Sequence, residues 1–408
     1  MIRKTWLITA ITSIFTASAF GQHDIWTRHA IDDSYSGADG VRLADVNDDG
    51  LQDICTGWEE TGYTIAYLHP GYDKVKEAWP SVNVGVTPSV EDAVFFDFDH
   101  NGVFDITSCS EGKDRKIYFN IAPTKPGDYL DSTKWVSKAL PASTDITMWM
   151  FAVPVQIDGK NGVDLVAGSK GHDAKIGWFE SPKNPEKLED WVWHPMSDAT
   201  WIMSIFPKDM DGDGDLDIVT SDRKKGATNG IRWLENPGKK GVKKPWNNHF
   251  IGAQGLEVMF MDLADLDQDG LEDALTTEYT NQQIHFFKRL DKTGTHWKDY
   301  PIQITANTGR SKSVRVGDID MDGKPDIVHS TETNEGDKSG VWWLSYQDSP
   351  TEADWTWHNI SGPDGIKYDR IELLDLDGDS DLDVLICEEN FGDNSEGLGV
   401  VWYENPFR

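Results

Sequence analysis

The chain has 408 residues, with 70 Asp and Glu against 38 Lys and Arg and a formal charge of -32. So acidic a balance repels phosphate backbones and argues against a nucleic-acid partner. No stretch beyond the N-terminal segment approaches the roughly 18 apolar residues that a membrane span needs.

Residues 1–21 read as a secretory signal: basic Arg3 and Lys4, a mostly apolar run from Trp6 to Phe15, then small Ala17, Ser18 and Ala19. Cleavage is expected between Phe20 and Gln22. Loss of Arg3 and Lys4 would take the formal charge from -32 to -34. Residues 22–408 are then one domain of a protein exported beyond the cytoplasm.

From Trp26 onward three patterns repeat together. A Trp opens an outer strand at Trp26, Trp79, Trp135, Trp191, Trp246, Trp297 and Trp355. An acidic nine-residue loop follows an inner strand, and an aromatic strand such as Ile65-Ala-Tyr67 or Ile231-Arg-Trp233 comes after it. The period of roughly 51 to 60 residues holds four short strands, the spacing of propeller blades. The expected fold is all-β: a seven-bladed β-propeller with four-stranded blades. Because the chain opens on an outer strand and stops after a third strand, the N-terminal strand must complete the last blade, which leaves no open edge.

The acidic loops carry Asp or Asn at positions one, three and five, Gly at six (Ser380 in the last copy) and Asp at nine. Alternate side chains on a tight loop converge on one point, and hard oxygen ligands in that number suit Ca²⁺. The ligands would be Asp45, Asn47, Asp49 and Asp53 in blade one, and Asp97, Asp99, Asn101 and Asp105 in blade two. Blade four offers Asp209, Asp211, Asp213 and Asp217, and blade five Asp265, Asp267, Asp269 and Asp273. Blade six has Asp318, Asp320, Asp322 and Asp326, and blade seven Asp375, Asp377, Asp379 and Asp383. Solvated acidic turns are the alternative. About six structural ions are expected. None is expected in blade three, where Gln156-Ile-Asp158-Gly-Lys160-Asn-Gly162-Val-Asp164 puts a cation at a ligand position.

With these motifs the chain resembles the FG-GAP/VCBS repeat family, which includes the integrin α propeller and many secreted bacterial proteins. The resemblance spans residues 22–408. It implies the propeller and the calcium loops and is nearly silent on activity; similar propellers serve in adhesion, in carbohydrate binding and in a sugar dehydratase.

A ligand would sit at the face opposite the loops. Six residues before each loop stand Asp39, Glu91, Met150, Met203, Met259, Lys312 and Asp369; six residues past each ninth position stand Glu59, Glu111, Lys170, Arg223, Tyr279, Glu332 and Glu389. Blades six, seven, one and two supply charge, while blades three to five supply methionines with Trp149 and Trp201 beside them. An apolar wall facing polar groups suits a small ligand, and a sugar or sugar-derived acid in particular. An inter-blade ion network with methionine filler is the bland alternative. Lys170, His172 or Tyr279 could serve as base and Arg223 could steady developing charge in a lyase or dehydratase. A non-catalytic module binding glycan or a protein partner, and a glycoside hydrolase using paired acids, stay open. Glu388 and Glu389, near Glu59, Glu60 and Glu111, could bind a second cation or share a proton. Cys55, Cys109 and Cys387 follow the ninth-position Asp of their blades; buried free thiols are expected, with a Cys55–Cys387 disulfide as the alternative. The outer-strand histidines His29, His194, His249 and His358 are read as packing beside Trp.

Overall fold

A computed structural model describes residues 25–407 except 353, 393, 394 and 396. The proposed signal segment lies outside the described residues. Seven four-stranded antiparallel sheets form the ring, and in six of them the strands run in chain order from the axis outward. The seventh joins Thr27–Asp32 to Gly399–Glu404, with His29 opposite Trp402 and Ala30 opposite Val401. The expected closure is therefore present. One apolar cluster crosses this seam, containing Ile31, Ile54, Trp58, Leu385, Val400 and Trp402.

Position in the blade explains composition. The second strands, such as Asp53–Trp58 and Asp217–Asp222, are buried throughout, except at half-buried Lys170 in blade three, because each sheet is covered on both faces by its neighbours. The outer strands are mostly exposed or half-buried, as in Val136–Ala139. There the histidines read as packing residues stack on Trp rings: His29 on Trp402 at 4.5 Å, His249 on Trp233 at 4.2 Å and His358 on Trp343 at 3.8 Å between centroids.

The innermost strand of every blade carries a β-bulge near its top, between Asp39 and Arg42 in blade one, Trp149 and Phe151 in blade three, and Tyr368 and Ile371 in blade seven. A bulge puts two residues of one strand against one of its partner and re-aims side chains. Here it turns residues both six and five places before the loop toward the axis. No cysteine is paired: Cys55 Sγ donates to Ala93 O and Cys387 Sγ to Gly40 O, each 3.3 Å away. The disulfide alternative is excluded because each thiol faces a backbone carbonyl of its own neighbouring strand.

Among the described residues no helix is long and apolar enough to cross a membrane.

Candidate functional site

At the end of the channel opposite the acidic loops lies a cavity of about 300 Å³. Its walls divide by chemistry. Met150, Phe151, Trp201, Met203 and Phe260 form an apolar side; Asp39, Glu59, Glu91, Glu111, Glu332, Asp369 and Glu389 bring seven carboxylates against Lys170, Arg223, Lys312 and Lys367. Lys312 Nζ lies 3.2 Å from Glu332, 3.3 Å from Asp369 and 3.0 Å from Glu389. Burial works against its ammonium, but Glu389, Asp369 and Glu332 outweigh that and hold its pKa well above the usual lysine value. Lys367 reaches the other oxygen of Glu389 at 2.9 Å. Lys170 bridges Glu91, at 3.0 Å, and Glu111.

The excess of carboxylate leaves some acids poorly compensated. Burial, then Asp369, Glu389 and Glu91, push the Asp39 carboxyl well up. Burial, followed by Glu91 and Glu389, raises Glu59 to about 7. On the apolar side the Trp201 ring lies between Lys170 Nζ at 4.4 Å and the Arg223 guanidinium at 4.5 Å, and Arg223 continues onto Tyr279 at 4.9 Å.

Below the cavity the channel holds ion pairs. Arg42 forks onto Asp92 at 2.8 and 3.0 Å, Arg315 joins Asp262 at 3.2 Å and Glu372 at 3.1 Å, and Arg370 meets Glu372 at 3.1 Å. Three guanidinium groups thus match three carboxylates. Burial, with Arg42 and Arg315 close by, lowers Arg370 to about 9. One ion-paired group joins blade one to blade two, and the other joins blade six to blades five and seven.

At the opposite face the six acidic loops share one geometry. In blade one, Asp45 accepts from Asp49 N at 3.1 Å and Gly50 N at 2.8 Å, while Asp53 accepts from Val46 N and His69 N at 2.9 and 2.8 Å. Gly50 sits at φ +85°, where a side chain would be strained, and Ser380 takes φ +78° in blade seven. The loops fit a hard cation. In at least three of them, Asp97–Asp99–Asp105, Asp209–Asp211–Asp217 and Asp265–Asp267–Asp269, the carboxylate oxygens all lie within 4.8 Å of one another. Buried oxygens of Asp105, Asp267, Asp318 and Asp377 accept no hydrogen bond. Two position-seven acids, Asp215 and Asp381, add to the donor set of blades four and seven and also present unpartnered oxygens. Blade five differs, since Lys288 reaches Asp267 and Asp269, the latter at 2.7 Å. In blade three Lys160 Nζ lies 2.6 Å from Asp158, and Gln156 accepts from Asp158 N at 3.0 Å and Gly159 N at 2.7 Å.

The model of the FG-GAP-like repeat matches residues 265–329, which hold the acidic loops of blades five and six. Beside the seven-bladed ring, that match identifies the repeat unit. The chain is a seven-bladed β-propeller that carries an FG-GAP-like repeat. Two solved structures of BBS1N in complex with ARL6DN, soaked with lead and with mercury, resemble this propeller at TM-scores of 0.52 and 0.50. Each is 10% identical; the alignments cover 93% and 92% of this chain and 97% of the other. At that identity the likeness concerns the fold. No curated protein matches the sequence.

Of the residues singled out for this face, thirteen line the cavity: Asp39, Glu59, Glu91, Glu111, Met150, Lys170, Trp201, Met203, Arg223, Lys312, Glu332, Asp369 and Glu389; Met259 is fully buried outside its lining. Tyr279 stands behind it, donating to Glu332 at 2.7 Å. Two assignments are corrected. Trp149 is 0% exposed, donates its indole N–H to Ser143 O and packs on Phe179 and Trp193, because its strand position points between blades. His172 is almost fully exposed beside Asp173 and outside the cavity. Glu388 is also structural: its carboxylate accepts from Ile366 N, Lys367 N and Leu398 N. Phe151, Phe260 and Lys367 line the cavity without having been singled out. The bulge brings in the two phenylalanines, and no residue pattern marks where a bulge falls.

Proposed function

We propose that this is an exported, calcium-stabilised propeller that binds a carbohydrate in the cavity opposite its acidic loops. The observation that carries the reading is the divided wall: methionine, Phe151, Phe260 and Trp201 on one side, carboxylates on the other. Apolar and aromatic groups cover the C–H face of a pyranose, and carboxylates accept from its hydroxyls. Seven carboxylates against four cations favour a neutral or cation-bridged sugar over a bare sugar acid. Lys170, engaged with Glu91 and Glu111, acts as an anchoring charge, with Arg223 behind Trp201. The acidic loops hold Ca²⁺ through the residues named for blades one, two and four to seven, where it cross-links strand ends and neutralises converging carboxylates.

Calorimetric titration with neutral and acidic oligosaccharides tests this. Trp201→Ala should weaken the bound sugar by tenfold or more with little change in melting temperature, since Trp201 is only partly buried and its indole N–H has no acceptor. Absence of binding across the panel, or equal binding by the variant, would overturn it. Ultraviolet absorbance for unsaturated products and reducing-end assays on the same panel separate a lyase, a hydrolase and a non-catalytic binder.

A further inference from the structure

Inside the charged half of the cavity, Asp39, Asp369 and Glu389 each offer a carboxylate oxygen within 4.8 Å of the others. The spacing matches oxygens on opposite sides of an ion at roughly 2.3 to 2.6 Å from each. A second observation is the state of Asp369. Its side chain is 1% exposed and lines the cavity, yet among the described residues neither of its oxygens has a well-formed hydrogen bond; Lys312 Nζ stands 3.3 Å from one oxygen, and the Asp39 carboxyl lies against it. Burying a carboxylate without hydrogen-bond partners is costly, and such groups are normally satisfied by a donor, an ion or water. Asp39, 7% exposed, is held against Asp369, with Glu389 and Glu91 close by.

The surrounding charge points the same way. Asp39, Glu59, Glu332, Asp369 and Glu389 face only Lys312 and Lys367, and Lys312 is already shared among Glu332, Asp369 and Glu389. Carboxyl groups therefore outnumber ammonium groups in a partly enclosed space. The donors are all carboxylate oxygen, with no His or Cys among them, which selects hard divalent ions over zinc or copper.

We propose that Asp39, Asp369 and Glu389 hold a divalent cation of the Ca²⁺ or Mn²⁺ class at the mouth of the channel, separate from the acidic loops. The site lies about one inner-strand length from those loops, and its occupancy does not depend on whether a sugar enters the cavity. A cation there would offer vicinal hydroxyls a common partner.

Metal analysis after dialysis against MnCl₂ tests the site in the full protein. Asp39→Asn should bind one equivalent less than wild type and keep the remaining equivalents, while Trp201→Ala should keep them all. An unchanged count in Asp39→Asn overturns the proposal. Should that variant fail to fold, anomalous scattering from wild-type crystals soaked in MnCl₂ decides: a peak among the three carboxylates is expected, and peaks at the acidic loops alone overturn it. Loss of sugar binding by Trp201→Ala with an intact metal count would leave this site standing independently.

Discussion

The loop of blade three and its six acidic counterparts solve the same turn by different means. In the acidic loops, carboxylates converge and leave buried oxygens of Asp105, Asp267, Asp318 and Asp377 without partners. In blade three, Gln156 accepts from two backbone N–H groups and donates to Lys160 O at 3.0 Å, while the Lys160 ammonium covers Asp158. Asn161, at φ +54°, stands where blade one has Gly50. Blade three has satisfied its loop with its own side chains; on the proposed reading the others are completed by an added positive charge. Blade five is intermediate, with Lys288 against two of its acids.

The largest expected effect follows from removing that charge everywhere at once. A ligand bound only by the folded state stabilises it by about 2.7 kcal/mol per site when present at 100 times its Kd. Chelation should therefore lower the melting temperature steeply in calorimetry. Hydrogen exchange should show amides of the acidic loops losing protection while Gly159 and Lys160 keep theirs. A melting curve indifferent to EDTA, with metal removal verified, would erase the contrast. Next in size, Asp211→Ala should cost on the order of 2 to 3 kcal/mol in saturating calcium and almost nothing in EDTA, measured by urea unfolding under both conditions. The reverse engineering is smaller: Gln156→Asp with Lys160→Asp should add one bound calcium and stabilise the protein only when calcium is present. If the double variant binds no additional ion, the blade-three backbone itself is unsuited. Smallest, Lys160→Ala should change stability by less than about 1 kcal/mol, equally with and without calcium, because its ammonium is more than half exposed.

Blade number, closure and loop positions were legible because each rests on local, repeated chemistry: Trp at the outer strand, carboxylates around a glycine turn, an aromatic third strand. The lining of the cavity was legible through simple counting from the loops, since strands of nearly equal length carry equivalent residues to equivalent heights. That counting failed where geometry departs from regularity. The bulge adds Phe151 and Phe260 to the wall and turns Asp92 and Arg370 onto the axis; Trp149, one place from Met150, points between blades instead. Lys367 enters from the connection before its strand, outside any repeat position. The pairing of Arg42, Arg315 and Arg370 with Asp92, Asp262 and Glu372 joins residues from blades far apart in sequence, and no local pattern announces it.

That central network also determines traffic. The three guanidinium side chains stand beneath the cavity ion-paired to their acids and only 11 to 15% exposed, so water reaches them but a sugar-sized group entering at the mouth meets them in its path. A polymer could present a terminus or a side branch but could not be drawn through the ring, so successive encounters with one long chain would each require release and re-entry. Any turnover here would be distributive, governed by how quickly chain ends find and vacate a single doorway.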